Sequence, residues 1–393
     1  MWAIALGGEG FGNANGVAID SNGDVIAVGT AYGPIDFGGG AMNPGAQYGF
    51  ITKRDAYDGS ERWTVRLGNN SWIANVGVDG DNAILVDGGL AGVVDLGGIT
   101  LDAGNGATFL ARYSPGGALE WARLLSVGSP SGFAVHRDGS VALAGSIADM
   151  ASGTTWLASY DATGSLVWQT TVDEADVSQL ASAPDGDVVV STTSRSFGGT
   201  DTLMYRTMVT RYRSDGTRLW SHTIADGAAW VTGDGIAVTA DDTTVLETQE
   251  SQAGSDSGLE AHAIDANSNE LWSANVAPTS VAGPVVRVLV ESPNGGIVAA
   301  QWLDGPYNVG PPSAVQGQLA LSHVDVGAVD TTSLSSRLVA SPSQTSFNSG
   351  ATGALGVAAF AGSMGGKLQV GTATASSAGP HSIFIVHMAL PMQ

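Results

Sequence analysis

The chain has no cysteine, only two lysines (Lys53 and Lys367) and little positive charge of any kind. Without a thiol there is no disulfide framework, no Cys-ligated zinc and no catalytic cysteine. Lys+Arg number 15 against 37 Asp+Glu, a formal net charge of −22. A nucleic-acid partner needs a cationic face to neutralise phosphate, so that class is excluded. No apolar run reaches the ~18 residues of a membrane helix, so no membrane span is expected. The start, Met1-Trp2-Ala3-Ile4-Ala5-Leu6-Gly7, lacks a positive n-region and a cleavage site and does not read as a signal peptide. Amphipathic helical periodicity is missing too. No Gly-x-Ser-x-Gly elbow, no phosphate-binding Gly-rich loop and no closely spaced His pair occurs.

What is present is a repeat. The 393 residues include 56 Gly and 10 Trp. Trp2, Trp63, Trp121, Trp168, Trp220 and Trp272 recur at spacings of 61, 58, 47, 52 and 52. Before each Trp after the first stands an apolar run and then a turn, as in Phe109-Leu110-Ala111-Arg112 followed by Gly116-Gly117. Each unit also holds an earlier hairpin, such as Val17 to Val28 around Asn22-Gly23, or Phe133 to Ala144 around Asp138-Gly139. Asx-Gly pairs supply the positive φ that tight hairpins need. One unit therefore reads strand, turn, strand, long loop, strand, turn, strand, which is the pattern of a propeller blade.

The sequence thus predicts one all-β domain over 1–393, a seven-bladed β-propeller of four-stranded antiparallel blades. The approximate repeats are 2–62, 63–120, 121–167, 168–219, 220–271, 272–334 and 335–393. The third strand of the sixth unit is expected near Gln318 to Val324. The seventh unit is expected to run through Gly366 to Gly371, with Ser382 to Met388 as its third strand. The chain then stops one strand short, and residues 2–6 would complete the last blade, leaving no loose seam. Eight blades is the rival count, because no Trp marks the boundary between the last two units.

Two blocks resemble a known family. Ile35-Asp36-Phe37-Gly38-Gly39-Gly40 with Tyr48-Gly49-Phe50-Ile51-Thr52-Lys53, and Val94-Asp95-Leu96-Gly97-Gly98 with Ala107-Thr108-Phe109-Leu110-Ala111-Arg112, resemble the bacterial seven-bladed propeller repeat of the SBBP type. Units three to five lack the Asp-Phe-Gly-Gly block. The resemblance implies an exported or surface-located bacterial propeller and brings no catalytic motif. Asp161-Ala162-Thr163-Gly164-Ser165-Leu166-Val167-Trp168 is similar, more loosely, to the repeats of quinoprotein dehydrogenases. Those imply eight blades and usually a vicinal disulfide, which a chain without cysteine cannot form.

The repeated Trp set reads as blade packing. The basic register Lys53, Arg112, Arg211, His323 and His387 reads as a solvated or salt-bridged ladder. His136, at a hairpin, reads as a surface or satisfied polar residue. Asp20-Ser21-Asn22-Gly23-Asp24 and Asp79-Gly80-Asp81-Asn82 look like calcium loops but lack the closing Glu. A ligand site should break the repeat. At the register of Asn15 the other first strands offer Ile73, Ser131, Ser178, Asp234, Arg287 and roughly Val357. Two residues earlier, Asn13 is matched by Ser71, Ser129, Asp176 and Thr232. Trp72 and Trp230 lie off the structural Trp register, and Glu174 falls in the same loops.

Asn13, Asn15, Trp72, Ser178, Trp230, Asp234 and Arg287 are therefore the candidate ligand-binding residues at a funnel mouth. The expected function is an extracellular or cell-surface binding propeller. Its partner would be a small-molecule, glycan or protein ligand held on one face, with the long loops 32–47, 302–316 and 338–354 contributing. Monomer is the expected state. The first alternative is a hydrolase or lyase using Asp176 and Asp234 as carboxylates or metal ligands, with Arg287 as the anion partner. Calcium is its candidate cofactor, and Asn13 and Asn15 could add oxygen ligands. The second alternative is a structural scaffold.

Overall fold

The computed structural model describes residues 1–42, 46–125, 130–146, 155–172, 175–197, 203–251, 259–275, 287–291, 297–303, 318–324, 331–332, 338–340, 345–353, 357–370, 373–377 and 381–389. Side chains are described for most of these, but not for Asp234 or for any residue of 275–347. The strands follow the pattern of their residues. Second and third strands are continuous apolar runs, such as Val25-Ile26-Ala27-Val28, and are buried on both faces. Outermost strands alternate; Leu166–Val172 shows one face to solvent.

Four strands pair antiparallel in each of five successive sheets. Blade 1 is Phe11–Ile19, Val25–Tyr32, Gln47–Arg54 and Glu61–Asn69. Blade 2 is Ser71–Val78, Ile84–Leu90, Ala107–Tyr113 and Leu119–Leu125. Blade 3 is Pro130–Val135, Val141–Ser146, Thr155–Tyr160 and Leu166–Val172. Blade 4 is Ala175–Ser182, Val188–Phe197, Leu203–Tyr212 and Arg218–Gly227. Blade 5 is Trp230–Val238, Thr244–Ser251, Leu259–Ile264 and Glu270–Asn275. Blade 6 opens with Arg287–Glu291, Ile297–Leu303 and Gln318–Val324. Blade 7 is Thr345–Gly353, Val357–Met364 and Ser382–Ala389, with Trp2–Leu6 as its fourth strand. Trp2 pairs with His387 and Leu6 with Ile383 in that last ladder. The innermost strands touch in the order of the blades, and that of blade 7 touches that of blade 1. The fold is a β-propeller.

Two expectations about the last units change. Lys367–Val370 does not belong to the seventh sheet. It pairs with Leu338–Ala340 and so extends blade 6. Val357 does not stand at the register of Asn15, because it begins the second strand of blade 7. The seventh innermost strand is Thr345–Gly353.

Five of the six repeated Trp residues bond their blade to the next. Trp63 of blade 1 donates its indole N–H to the Pro115 carbonyl in the outer hairpin of blade 2, at 3.1 Å. Trp121, Trp168 and Trp220 do the same to Ala162, Ser214 and Ala266, and Trp2 closes the series on Ala56 of blade 1. The ring lies on the hairpin glycine. A Cβ on Gly59, Gly117, Gly164 or Gly216 would stand 2.7–2.9 Å from the indole. The glycine is thus required twice, by its positive φ and by the ring above it.

The basic register is a salt-bridged ladder, with Lys53 and Arg211 buried and Arg112 partly buried. Lys53 pairs with Asp20 at 2.7 Å, Arg112 pairs with Asp79, and Arg211 holds Asp185, Asp187 and Asp242 at 2.7, 2.8 and 3.0 Å. These acids stand in the inner hairpins, including both strings that look like calcium loops. There Asp20 and Asp79 also accept backbone N–H bonds across their turns. In blade 3 the register holds Ser159, and the facing hairpin position holds His136 instead of Asp. His387 is buried and stacks on Trp2, and His323 lies outside the described side chains.

Candidate functional site

Call the face where the innermost strands begin the upper face. The Asp-Phe-Gly-Gly blocks cover it beside blades 1 and 2. Ile35–Asp36 pairs with Ala41–Met42, and Val93–Asp95 with Thr100–Asp102. Phe37 and Leu96 plug the core beneath, while Asp36 and Asp95 accept the N–H groups of the following glycines. Of the other loops expected to contribute, 304–317 and 341–344 lie outside the described residues.

A β-bulge recurs in the innermost strands. The ladder skips one residue at Asn15, Ala74, Ser131, Ser178, Asp234 and Asn348. The register predicted from sequence is therefore right at Asn15, Ser131, Ser178 and Asp234. It is one residue off at Ile73, and Asn348 takes the place given to Val357. The bulged side chain has a structural task. Asn15 donates to the Ile73 carbonyl of blade 2 at 2.7 Å, Ser131 to Val177 of blade 4 at 3.4 Å, and Asn348 to Ala14 of blade 1 at 2.7 Å. Each acceptor is the carbonyl just before the next blade's bulge.

Asn13 and Asn15 lie on the floor of a cavity of about 320 Å³ between blades 7, 1 and 2. An amide chain crosses that floor. Asn348 donates to Asn13 at 2.6 Å, and Asn13 to Asn15 at 2.9 Å. Phe11 and Tyr32, cross-strand partners, form one wall as stacked rings 4.5 Å apart. Trp72 forms another. Its cross-strand partner is Gly89, and a Cβ built there would stand only 1.9 Å from the indole. Gly89 is thus the seat on which the ring lies, and Trp72 stays 39% exposed. Tyr32 donates to the Gln47 carboxamide oxygen at 2.9 Å, so Gln47 offers a ligand its NH₂. Ser363 and His381 complete the rim from blade 7. Among the described lining residues there is no Asp, Glu, Lys or Arg.

The other predicted residues stand elsewhere. Trp230 stacks on Tyr205 with centroids 6.0 Å apart, at the top of blades 4 and 5. Ser178 is at the bulge of blade 4. Asp176, on the same strand, is exposed and pairs with Arg195 at 3.1 Å, an ordinary solvated ion pair. Asp234 and Arg287 sit on adjacent innermost strands; their side chains lie outside the described residues, as does Glu174. Among the described residues no group of three or more His, Asp or Glu is placed to hold a metal ion. No described helix is long and apolar enough to cross a membrane.

The axial channel opens below this mouth as a cavity of about 290 Å³. Asn15, Asn75, Ser131, Gln179, Asn348 and Ser349 line it with neutral polar groups. Behind its wall, Asp87 is fully buried and accepts the backbone and side-chain N–H of Asn75, both at 3.0 Å. Burial pushes its carboxyl up to about 7. On the lower face His136 borders a cavity of about 640 Å³. It is buried, against expectation, and its Nδ1 has no hydrogen-bond partner among the described residues. Burial lowers its pKa against the opposing pull of Asp138, Asp185 and Asp187.

No protein-family model and no curated protein matches the sequence. Solved structures do resemble it. The polysaccharide lyase Uly1 superposes at a TM-score of 0.52 with 13% identity, covering 96% of this chain and 90% of that one. A PL25 ulvan lyase gives 0.50 and 10%, covering 90% and 92%. The Dos1 propeller gives 0.49 and 10%, covering 100% and 96%. At such identity the likeness concerns the fold alone.

Proposed function

We propose that this chain is a binding propeller that recognises a small polar ligand or glycan in the cavity between blades 7, 1 and 2. The observation that carries the reading is the pairing of exposed aromatic faces with neutral hydrogen-bonding groups around one concave site. Apolar ring faces of a saccharide stack on aromatics, while its hydroxyls need donors and acceptors such as Gln47, Ser363 and His381 offer. The residues that would grip a ligand stand apart from the inter-blade bonds of Asn15 and Asn348, so binding need not compete with ring assembly. A location outside the cell is part of the proposal. It is supported by the resemblance of the Asp36 and Asp95 blocks to exported propeller repeats. Glycan-array binding followed by titration calorimetry tests the reading. Binding that Trp72→Ala weakens at least tenfold is expected; no bound glycan or small polar compound at all would sink it.

A lyase is the second reading, because two of the resembling structures are polysaccharide lyases. The cavity holds one imidazole, His381, and no Lys or Arg to neutralise a uronate carboxylate among its described residues. Binding is therefore preferred to turnover. Release of unsaturated, ultraviolet-absorbing ends from a uronate polymer would reverse that preference.

A further inference from the structure

Four large aromatic side chains are clearly exposed among the described residues: Phe11, Tyr57, Trp72 and Trp230. Three of them stand where innermost strands begin, on the upper face. Phe11 and Trp230 even share a register, eight residues before the end of their strands, Ile19 and Val238. An exposed indole is costly unless it meets an apolar partner, and single scattered aromatics would not fall on one rim.

They form two platforms. One is Phe11, Tyr32 and Trp72 on blades 1 and 2. The other is Trp230 on Tyr205, on blades 5 and 4, with Trp230 45% exposed. In a ring of seven these stand across the channel mouth from each other. Charge sets the chemistry of what lies between them. Among the described residues that line the cavity at the first platform there is no Asp, Glu, Lys or Arg. Beside the second, Asp226 is paired with Arg206 at 2.6 Å, and Glu250 and Glu260 line the neighbouring cavity. Arg195 is held by Asp176. With the chain at −22, the face repels a polyanion.

We infer that the ligand is an uncharged polysaccharide chain that crosses the channel mouth and stacks on both platforms. This rests on the binding reading above and extends it from one pocket to two subsites. Two linked contacts make the second one intramolecular, so affinity should rise steeply once the glycan is long enough to reach both.

Affinity electrophoresis tests it on the full-length protein, with gels containing neutral polymers (a β-glucan, a xylan, a galactomannan) or anionic ones (polygalacturonate, a sulfated galactan). Retardation by a neutral polymer is expected. Trp72→Ala and Trp230→Ala should each weaken it about tenfold or more, and the double variant should abolish it. Gly89→Ala keeps the indole but displaces it from its seat, and should mimic Trp72→Ala, whereas Trp72→Tyr should retain much of the binding. Short oligosaccharides of that polymer should respond to Trp72→Ala and not to Trp230→Ala. Unchanged melting temperatures would show that the single variants fold. Retardation by anionic polymers alone would overturn the inference while leaving a binding propeller. Neutral binding indifferent to Trp230→Ala would overturn the two-platform chain and leave the single pocket. No retardation by any polymer, with small glycans still bound at Trp72, would likewise reject the polysaccharide and keep the pocket.

Discussion

Gly59→Ala should cost far more than a positive-φ glycine alone explains, and only while Trp2 is present. Gly59 has φ 74°, where an L-residue costs about 1–2 kcal/mol. Its missing Cβ would also stand 2.8 Å from the Trp2 indole. Displacing a packed ring adds roughly 1–3 kcal/mol, and losing the 3.1 Å bond from Trp2 to the Ala56 carbonyl adds about 1. The expected total is about 3–6 kcal/mol. Trp2→Ala alone should cost about 3–5 kcal/mol, since the side chain is buried and belongs to the strand that completes blade 7. In the Trp2→Ala background only the backbone term should remain for Gly59→Ala. The double-mutant cycle should then show about 2–4 kcal/mol of coupling. Gly186→Ala is the internal control, at φ 91° with its nearest neighbour, Ser214 Cβ, 3.9 Å away. It should cost the backbone term alone. Urea unfolding followed by tryptophan fluorescence measures all four proteins and the control. If Gly59→Ala costs the same with and without Trp2, or no more than Gly186→Ala, the ring does not dictate the glycine and the inter-blade lock is misassigned.

Three further outcomes are expected. Asp87 is raised by burial to about 7 in the folded chain, against ~3.9 unfolded. The folded state therefore holds the proton more tightly, and this stabilisation is complete below about pH 4 and lost as pH rises through about 7. Asp87→Asn should match the parent near pH 4 and exceed it by roughly 4 kcal/mol near pH 8; parallel stability profiles would refute the assignment. Arg211→Leu strands Asp185, Asp187 and Asp242 at the hairpins of blades 4 and 5 and should lower stability by about 3–5 kcal/mol, with Arg211→Lys rescuing little of it, as urea midpoints would show. Ser268, at φ 71° in the outer hairpin whose Ala266 carbonyl Trp220 bonds, takes a place where the other outer hairpins carry glycine, and the chain should gain about 1 kcal/mol on Ser268→Gly, seen as a higher melting temperature.

The blade count and the closing strand were legible because their cause repeats. An apolar run, a tight turn and a Trp recur in each of blades 1 to 5, and Trp2–Leu6, an apolar strand outside any hairpin of its own, pairs with Ser382–Ala389. The Trp72 wall of the cavity was legible as an aromatic off the structural register, but the Phe11–Tyr32 wall was not, for a reason that can be counted. In the lower part of the first hairpin Ile19 pairs with Val25, a position sum of 44. Above the bulge at Asn15, Phe11 pairs with Tyr32, a sum of 43. Counting from the turn without the bulge sets Phe11 against Gly33 and hides the aromatic pair. The basic register was legible as a ladder, but its burial was not, since the acids that permit it come from inner hairpins some thirty residues away, as with Lys53 and Asp20.

The bulge also separates structural from functional departures at that register. Asn15, Ser131 and Asn348 each donate to the next blade's carbonyl, so a side chain with a donor is what assembly asks of this position. Ala74 fails that requirement passively. By sequence, blade 5 carries Asp234 at this position, on the strand that begins with Trp230. An ionised carboxylate accepts hydrogen bonds and donates none, whereas a carboxamide can do both. If the assembly rule holds on blade 5, Asp234→Asn supplies a donor and should raise stability, as Asp87→Asn does by another route. If it also left binding untouched, the departure would belong to the ring's history rather than to its ligand. If it strengthened the fold and weakened binding, blade 5 would be the place where assembly yields to recognition.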